Sequence, residues 1–151
     1  MLGVFLDIET TGLDASCHAP IDIAFRILDL YTGQEKASFQ SVLSLPKEIW
    51  EKRDLSSVQI NGFTWEMVQT GLPKDQVRDQ VIQIFKKAGI KRGEAVFICQ
   101  NPSFDRGFFA QIVEVYTQEK LNWPYHWLDF ASMYWALYCR QVEEGKRVFS
   151  E

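Results

Sequence analysis

Apolar residues recur along this chain with two different periods, and the switches between them order its elements. Leu2 to Leu6 is a short apolar run that reads as a strand ending at Asp7. Ile21, Ile23, Phe25 and Ile27 then alternate with Asp22, Ala24, Arg26 and Leu28, the period of two expected of a second strand. Thr32-Gly33 supplies a turn, and Ala37, Phe39, Leu43 and Leu45 continue the alternation up to Pro46. Residues 20–45 therefore predict an antiparallel hairpin beside the first strand. Short helical turns are expected over 55–70. Val77, Val81, Ile84, Phe85 and Ala88 recur at helical spacing and predict a helix over 75–88, broken by Gly89 and Gly93. Ala95 to Cys99 has the β-branched and aromatic content of a buried strand. Asn101-Pro102 reads as an N-cap and first helical position, opening a helix to about Lys120. Beyond Pro124, a short strand around His126 to Leu128 leads into an aromatic-rich helix from Asp129 to Gln141.

This order predicts an α/β protein with a mixed sheet covered by helices. With 151 residues, 46% apolar and 14% aromatic, the chain suffices for one domain with its own core, and it carries no repeat or low-complexity tract. Asp7 interrupts the first apolar run too early for a signal peptide, and no uncharged run approaches the ~18 residues of a membrane span. The expectation is a cytoplasmic protein without membrane association. Cys17, Cys99 and Cys139 form no CxxC pair and read as reduced thiols, Cys99 as a small core residue. A net charge of −4 excludes a protein that grips nucleic acid by its overall field, but not one whose acids hold cations.

Acids stand at two strand ends. Asp7 and Glu9 are two residues apart, so in extended backbone both carboxylates face one side, and Thr10-Thr11-Gly12-Leu13 follows them directly. Asp105 falls in the first turns of the helix after the Cys99 strand. Sites in open α/β sheets form at the carboxyl ends of strands, so if these two strands are neighbours, three carboxylates converge. Such groups repel one another and raise their own pKa values unless a cation lies between them. All-oxygen sets suit Mg²⁺ or Mn²⁺. A pair of these ions can activate water and stabilise the leaving oxygen of a phosphodiester displacement. The plainer reading keeps these acids as strand-end and helix-end caps. Asp129 reads equally well as an N-cap, and Phe104, Phe108, Tyr134 and Trp135 as core. Lys86, Lys87, Lys91 and Arg92 read as a solvated helix end, and His18 and His126 as structural or surface residues.

The segment FLDIETTGL, residues 5–13, resembles the first motif of the DEDD 3′-to-5′ exonucleases. QNPSFDRGFF, residues 100–109, looks like their second motif, and INGFTWEMV, residues 60–68, like the segment linking the two. WLDFASMYWAL, residues 127–137, is similar to the strand-to-helix step that follows, so the match runs in order through nearly all of the chain. The resemblance is to the histidine-containing branch, that of proofreading subunits and oligoribonucleases. It implies a ribonuclease H-like fold, a mixed five-stranded sheet flanked by helices, with the Asp7 strand central and next to the Cys99 strand. It further implies a metal-dependent exonuclease acting on the single-stranded 3′ end of DNA or RNA with two Mg²⁺ or Mn²⁺ ions. Asp7 would bridge both ions, Glu9 would hold the one that carries the attacking water, and Asp105 would hold the second. Backbone N–H groups of Thr10, Thr11 and Gly12 would hold the terminal 3′ oxygen. Leu13 would wedge against the last base, and Asn101 and Phe109 would also contact the substrate.

One part of the pattern is missing. The family's third motif places a His five residues ahead of a fourth metal-binding Asp, or a Tyr four residues ahead. At the five-residue offset His18 is followed by Ile23 and His126 by Ala131, no Asp follows Asp129, and Glu143, Glu144 and Glu151 come too soon after the last helix. The expectation is that residues 1–151 form one C-terminally incomplete exonuclease domain, feeble on its own. Such a domain would expose an apolar face beside the first motif, which favours self-association through it or local disorder around the site. The alternative is a catalytically inactive nucleic-acid-binding or scaffold relative.

Overall fold

The computed structural model describes residues 1–146, so Glu151 lies outside the described residues. Five strands form one sheet: β1 (Leu2–Thr10), β2 (Pro20–Asp29), β3 (Glu35–Val42), β4 (Ala95–Cys99) and β5 (Trp127–Asp129). Their order is β3-β2-β1-β4-β5. The β1–β2 and β2–β3 pairs are antiparallel, and the β1–β4 and β4–β5 pairs are parallel. The expected mixed sheet is thus present, with the Asp7 strand central and beside the Cys99 strand. Among the described residues seven helices connect and cover it: α1 (Lys47–Glu51), α2 (Leu55–Asn61), α3 (Trp65–Gln69), α4 (Lys74–Ala88), α5 (Pro102–Ile112), α6 (Val115–Lys120) and α7 (Phe130–Glu143).

Strand alternation sends Val4, Leu6 and Ile8 of β1 to one face, where they join Ile23, Phe25 and Ile27 of β2 and Phe97 of β4. Over them lie Val77, Val81 and Phe85 of α4 and Phe108, Phe109 and Ile112 of α5. Phe85 is the hub, with the ring centroids of Phe25, Phe97, Phe109 and Trp123 at 5.1, 6.0, 6.5 and 4.7 Å. Gly89, at φ 78°, ends α4 in the left-handed conformation that glycine tolerates best. Cys99 is buried, and all three cysteines are free thiols.

The structure departs from the sequence pattern in five places, the first being that β1 runs on past Asp7 to Thr10. Strand β3 stops at Val42, because Leu43 turns to bridge Leu72 while donating its N–H to Ile21 at 2.6 Å. Helix α1 lies between Pro46 and residue 55, a stretch to which the residue pattern assigns no element. The helix expected from Asn101 to Lys120 is two helices, broken where fully buried Val113 takes an extended conformation (φ −125°, ψ 106°). Gln118 Nε2 donates to the Val113 carbonyl at 2.7 Å and satisfies it. Finally, Tyr134 and Trp135 are exposed rather than core, on a helix that buries none of its residues.

Opposite the main core, β1 presents Phe5, Asp7 and Glu9. A groove of roughly 690 Å³ lies along this face, lined by Phe5, Asp7, Ala24, Arg26, Ile98 and Phe130 among others. Among the described residues no helix is long and apolar enough to cross a membrane.

Candidate functional site

Strand β1 continues past Asp7 to Thr10, so the extended backbone that puts Asp7 and Glu9 on one face persists through both. Asp7 is exposed and Glu9 half-buried. Asp105 comes from α5 and is 4% exposed. Asn101 opens that helix with Pro102 behind it, and its carbonyl accepts the Phe104 and Asp105 N–H groups at 2.9 and 3.3 Å. The Asn101 side chain does not cap the helix; its Oδ1 accepts instead from Ser103 Oγ at 2.6 Å. Pairing between β1 and β4 stops at Phe5–Ile98, and further along β1 the Ile8 N–H donates to Asp105 Oδ1 at 3.2 Å.

Negative charge accumulates here. Burial, and after it the charge of Asp7, pushes the Asp105 carboxyl up to about 6, against the pull of the Ile8 N–H. Glu9 is raised by burial and then by Asp7 and Asp22, with Asn61 opposing. Asp22 is raised by burial and further by Asp7, with the Gln40 amide opposing. The Cys99 thiol is held up to about 12 by burial and then by Asp105 and Asp7, so it is no nucleophile at neutral pH. Among the described residues no ion pair involves Asp7, Glu9, Asp22 or Asp105.

An all-carboxylate donor set short of positive charge fits a hard divalent cation. The set is not closed, however: among the described residues no three His, Cys, Asp or Glu side chains form a ready-made cation site. One Asp105 oxygen is already engaged by the Ile8 N–H.

Two neighbours escaped the sequence reading. Asp22 stands directly across from Glu9 on β2, is 6% exposed, and accepts from Gln40 Nε2 at 3.1 Å. An acid between Ile21 and Ile23 was the available signal, but alternation alone assigns it to solvent; only the strand register sets it against Glu9. Asn61 donates from Nδ2 to the Thr10 carbonyl at 3.0 Å and accepts the Phe63 N–H at 3.2 Å. Gly62 then ends α2 at φ 76°, which is the structural content of the Asn61-Gly62 pair in the linking segment. Helix α2 is tied to the first motif at its other end too, where the Asp54 N–H donates to the Thr11 carbonyl at 2.7 Å.

The Thr10–Leu13 loop corrects one expectation. Thr11 cannot offer its N–H to a 3′ oxygen, because that group donates to the Ala19 carbonyl at 2.9 Å, while Thr11 Oγ1 accepts the Ala19 N–H. Thr10 Oγ1 donates to the Gly12 carbonyl at 2.7 Å. Gly12 makes room for a neighbour: a Cβ there would come within 2.4 Å of the His18 ring, whose Nδ1 accepts the Asp14 N–H. Leu13 is 74% exposed. Asn101 is exposed next to Asp105, but Phe109 is completely buried among Phe97, Trp123 and Trp127, so the expected substrate contact is instead a core residue. Asp129 caps α7 through the Ala131 N–H at 3.0 Å and accepts from Ser132 Oγ.

No protein-family model matches the chain, and no curated protein sequence matches it. Solved structures do. Exonuclease I from Methylocaldum szegediense superposes with a TM-score of 0.71 at 17% identity, over 88% of this chain and 28% of that one. The metal-free E. coli exonuclease I complex with single-stranded DNA gives 0.70 at 14% identity, over 91% and 30%. E. coli exonuclease I with a dT13 oligonucleotide gives 0.65 at 13%, over 83% and 27%. The chain thus spans less than a third of each of these proteins. At such identities the likeness is one of fold, and the mixed five-stranded sheet with its flanking helices is the ribonuclease H-like fold that exonuclease I carries.

Proposed function

We propose that the chain is a metal-dependent nuclease domain that removes nucleotides from the 3′ end of single-stranded DNA or RNA. The observation that supports this best is the gathering of Asp7, Glu9 and Asp105, without a cationic partner among the described residues, at the carboxyl ends of adjacent parallel strands. Asp7 is exposed, and its charge raises Glu9 and Asp105 as well as the neighbouring Asp22, so it is the residue that would hold both of two ions. Glu9 and Asp105 would each hold one. Mg²⁺ or Mn²⁺, when bound, supplies the charge that neutralises the scissile phosphate and activates water. Leu13 offers an exposed apolar edge for the last base, and Thr10, Gly12 and Asn101 border the same end of the sheet. Because neither a His nor a fourth Asp stands at the family spacing, turnover by these 151 residues is slow; a positioned general base alone is worth ~10²- to 10⁴-fold.

The open donor set favours a second reading, a relative that binds nucleic acid without cutting it. One assay separates the two. A 3′-tailed, end-labelled single-stranded oligonucleotide is incubated with Mn²⁺ and either the wild-type chain or Asp7→Ala. Stepwise shortening from the 3′ end that Asp7→Ala abolishes supports the nuclease. Binding without shortening supports the silent relative, and neither binding nor shortening removes both.

A further inference from the structure

Asp22 lies outside the donor set of Asp7, Glu9 and Asp105, yet the strand register sets it directly across from Glu9. Paired positions of an antiparallel ladder share a face, so its carboxylate lies on the same side of the sheet as those of Asp7 and Glu9. Arg26, on that same face of β2, is exposed, whereas Asp22 is 6% exposed. Burying a carboxylate is costly unless an opposite charge accompanies it. Among the described residues no ion pair involves Asp22, and its side-chain hydrogen-bond partner is the neutral amide of Gln40, at Oδ1. An apolar side chain at this position would avoid the cost. A cation that the chain itself does not supply would offset it.

We propose that Asp22 is a positioning residue of the cation site: it stands behind Glu9, outside the donor set, and its charge strengthens the hold of Asp7 and Glu9 on a divalent ion. Gln40 explains why the action is indirect. Its amide comes from β3, on the side of β2 away from Glu9, and keeps one Asp22 oxygen turned to that side. Mg²⁺ keeps several of its waters, and carboxylates behind the ligands act on a bound ion by charge and by hydrogen bonds to those ligands and waters. This inference rests on the reading of Asp7, Glu9 and Asp105 as the cation site.

Mn²⁺ affinity measured by calorimetry tests it, on wild type, Asp22→Asn, Gln40→Ala, Glu94→Gln and Asp7→Ala. Asp22→Asn removes the charge and keeps an oxygen for Gln40, while Gln40→Ala removes the cross-strand bond and keeps the charge. Glu94 is exposed just ahead of β4, at the opposite end of the strands from the acids, and serves as the charge control. The expected result is Mn²⁺ binding about 10-fold weaker in Asp22→Asn, with unchanged melting in chelator, and near wild type in Gln40→Ala and Glu94→Gln. A purely structural Asp22 gives the reverse order, Gln40→Ala impaired and Asp22→Asn intact, and overturns the proposal. So does a loss in Glu94→Gln as large as in Asp22→Asn. If Asp22→Asn does not fold, the wild-type chain decides: the Glu9 and Asp22 carboxyl carbon shifts should move together as Mg²⁺ is added, and an unmoved Asp22 overturns the proposal. Binding lost in Asp7→Ala but intact in Asp22→Asn removes Asp22 alone and leaves the cation site standing; a wild type that binds no Mn²⁺ removes both.

Discussion

Asp105 and Ile8 are 97 residues apart in sequence, yet the Ile8 N–H donates to the Asp105 carboxylate at 3.2 Å. One side chain therefore finishes the β1 ladder where β4 runs out and also carries a buried charge into the acidic cluster. The second role costs stability.

The cost has a predictable pH dependence. Asp105 has a folded pKa of about 6 against an ordinary 3.8, so the fold resists ionising it. The native state holds this proton more tightly than the unfolded chain, and stability falls as pH rises from about 4 to about 6 through this group. Asp105→Asn keeps an oxygen for the Ile8 N–H and removes the charge. In chelator-treated buffer it should unfold in urea at pH 7.5 with a free energy on the order of 2 kcal/mol above wild type, the difference vanishing near pH 4. Equal stability of the two proteins at pH 7.5 would contradict a raised Asp105.

Asp7 tests the cluster from its other side. It is exposed, and its charge raises Glu9, Asp22 and Asp105, so removing it relieves all three. Without metal, Asp7→Ala should melt higher than wild type at pH 7.5. With Mn²⁺ the order should reverse or close, because a ligand that binds only the folded state stabilises wild type alone. Calorimetric titration should show most Mn²⁺ binding lost in the variant. Matching Mn²⁺ affinities would remove Asp7 from the metal assignment.

How much of this was legible in the sequence depends on the range of the forces involved. The sheet was readable because strand alternation is local: Ile23, Phe25 and Ile27 all point to the core face that their period of two assigns, and Ile21 is buried in a second cluster with Trp50 and Val68. Asp7, Glu9 and Asp105 were readable as candidates because the residue pattern put each near a strand end, although β1 in fact runs on past Asp7 to Thr10 and Asp105 lies within the first turn of α5. Asp22 was not, because its partner across the sheet is a matter of register. The break at Val113 was hidden for a similar reason, since core burial overrides a continuous helical pattern there. Tyr134 and Trp135 were misread because an aromatic helix is ordinarily covered by its own domain.

Asn61 should behave as a structural clamp with an electrostatic signature. Asn61→Ala leaves the Thr10 carbonyl and the Phe63 N–H without the partners they have now, at a cost of about 1–2 kcal/mol. It also removes the group that holds Glu9 down, so the Glu9 carboxyl should titrate higher. Carboxyl carbon chemical shifts followed against pH measure this directly. A Glu9 titration that does not move in Asn61→Ala would show that the amide does not act on it.

Leu13 is exposed and Phe109 fully buried, so truncating each should separate binding from stability. Phe109 is fully buried, with Phe97, Trp127 and Trp123 centroids at 5.5, 5.7 and 6.1 Å, so Phe109→Ala opens a cavity and should cost about 3–5 kcal/mol. Leu13 is 74% exposed, so Leu13→Ala should leave the melting temperature almost unchanged. If the loop after Glu9 receives the last base, the same Leu13 change should weaken binding of a short single-stranded oligonucleotide several-fold, since base contacts on apolar side chains are worth about 1–3 kcal/mol each. Fluorescence anisotropy in Ca²⁺, where binding is read without turnover, measures the second effect, and thermal unfolding the first. A Leu13→Ala chain that binds the oligonucleotide as wild type does would place the 3′ end elsewhere on the sheet, while leaving the core assignment of Phe109 to stand or fall on its own cavity.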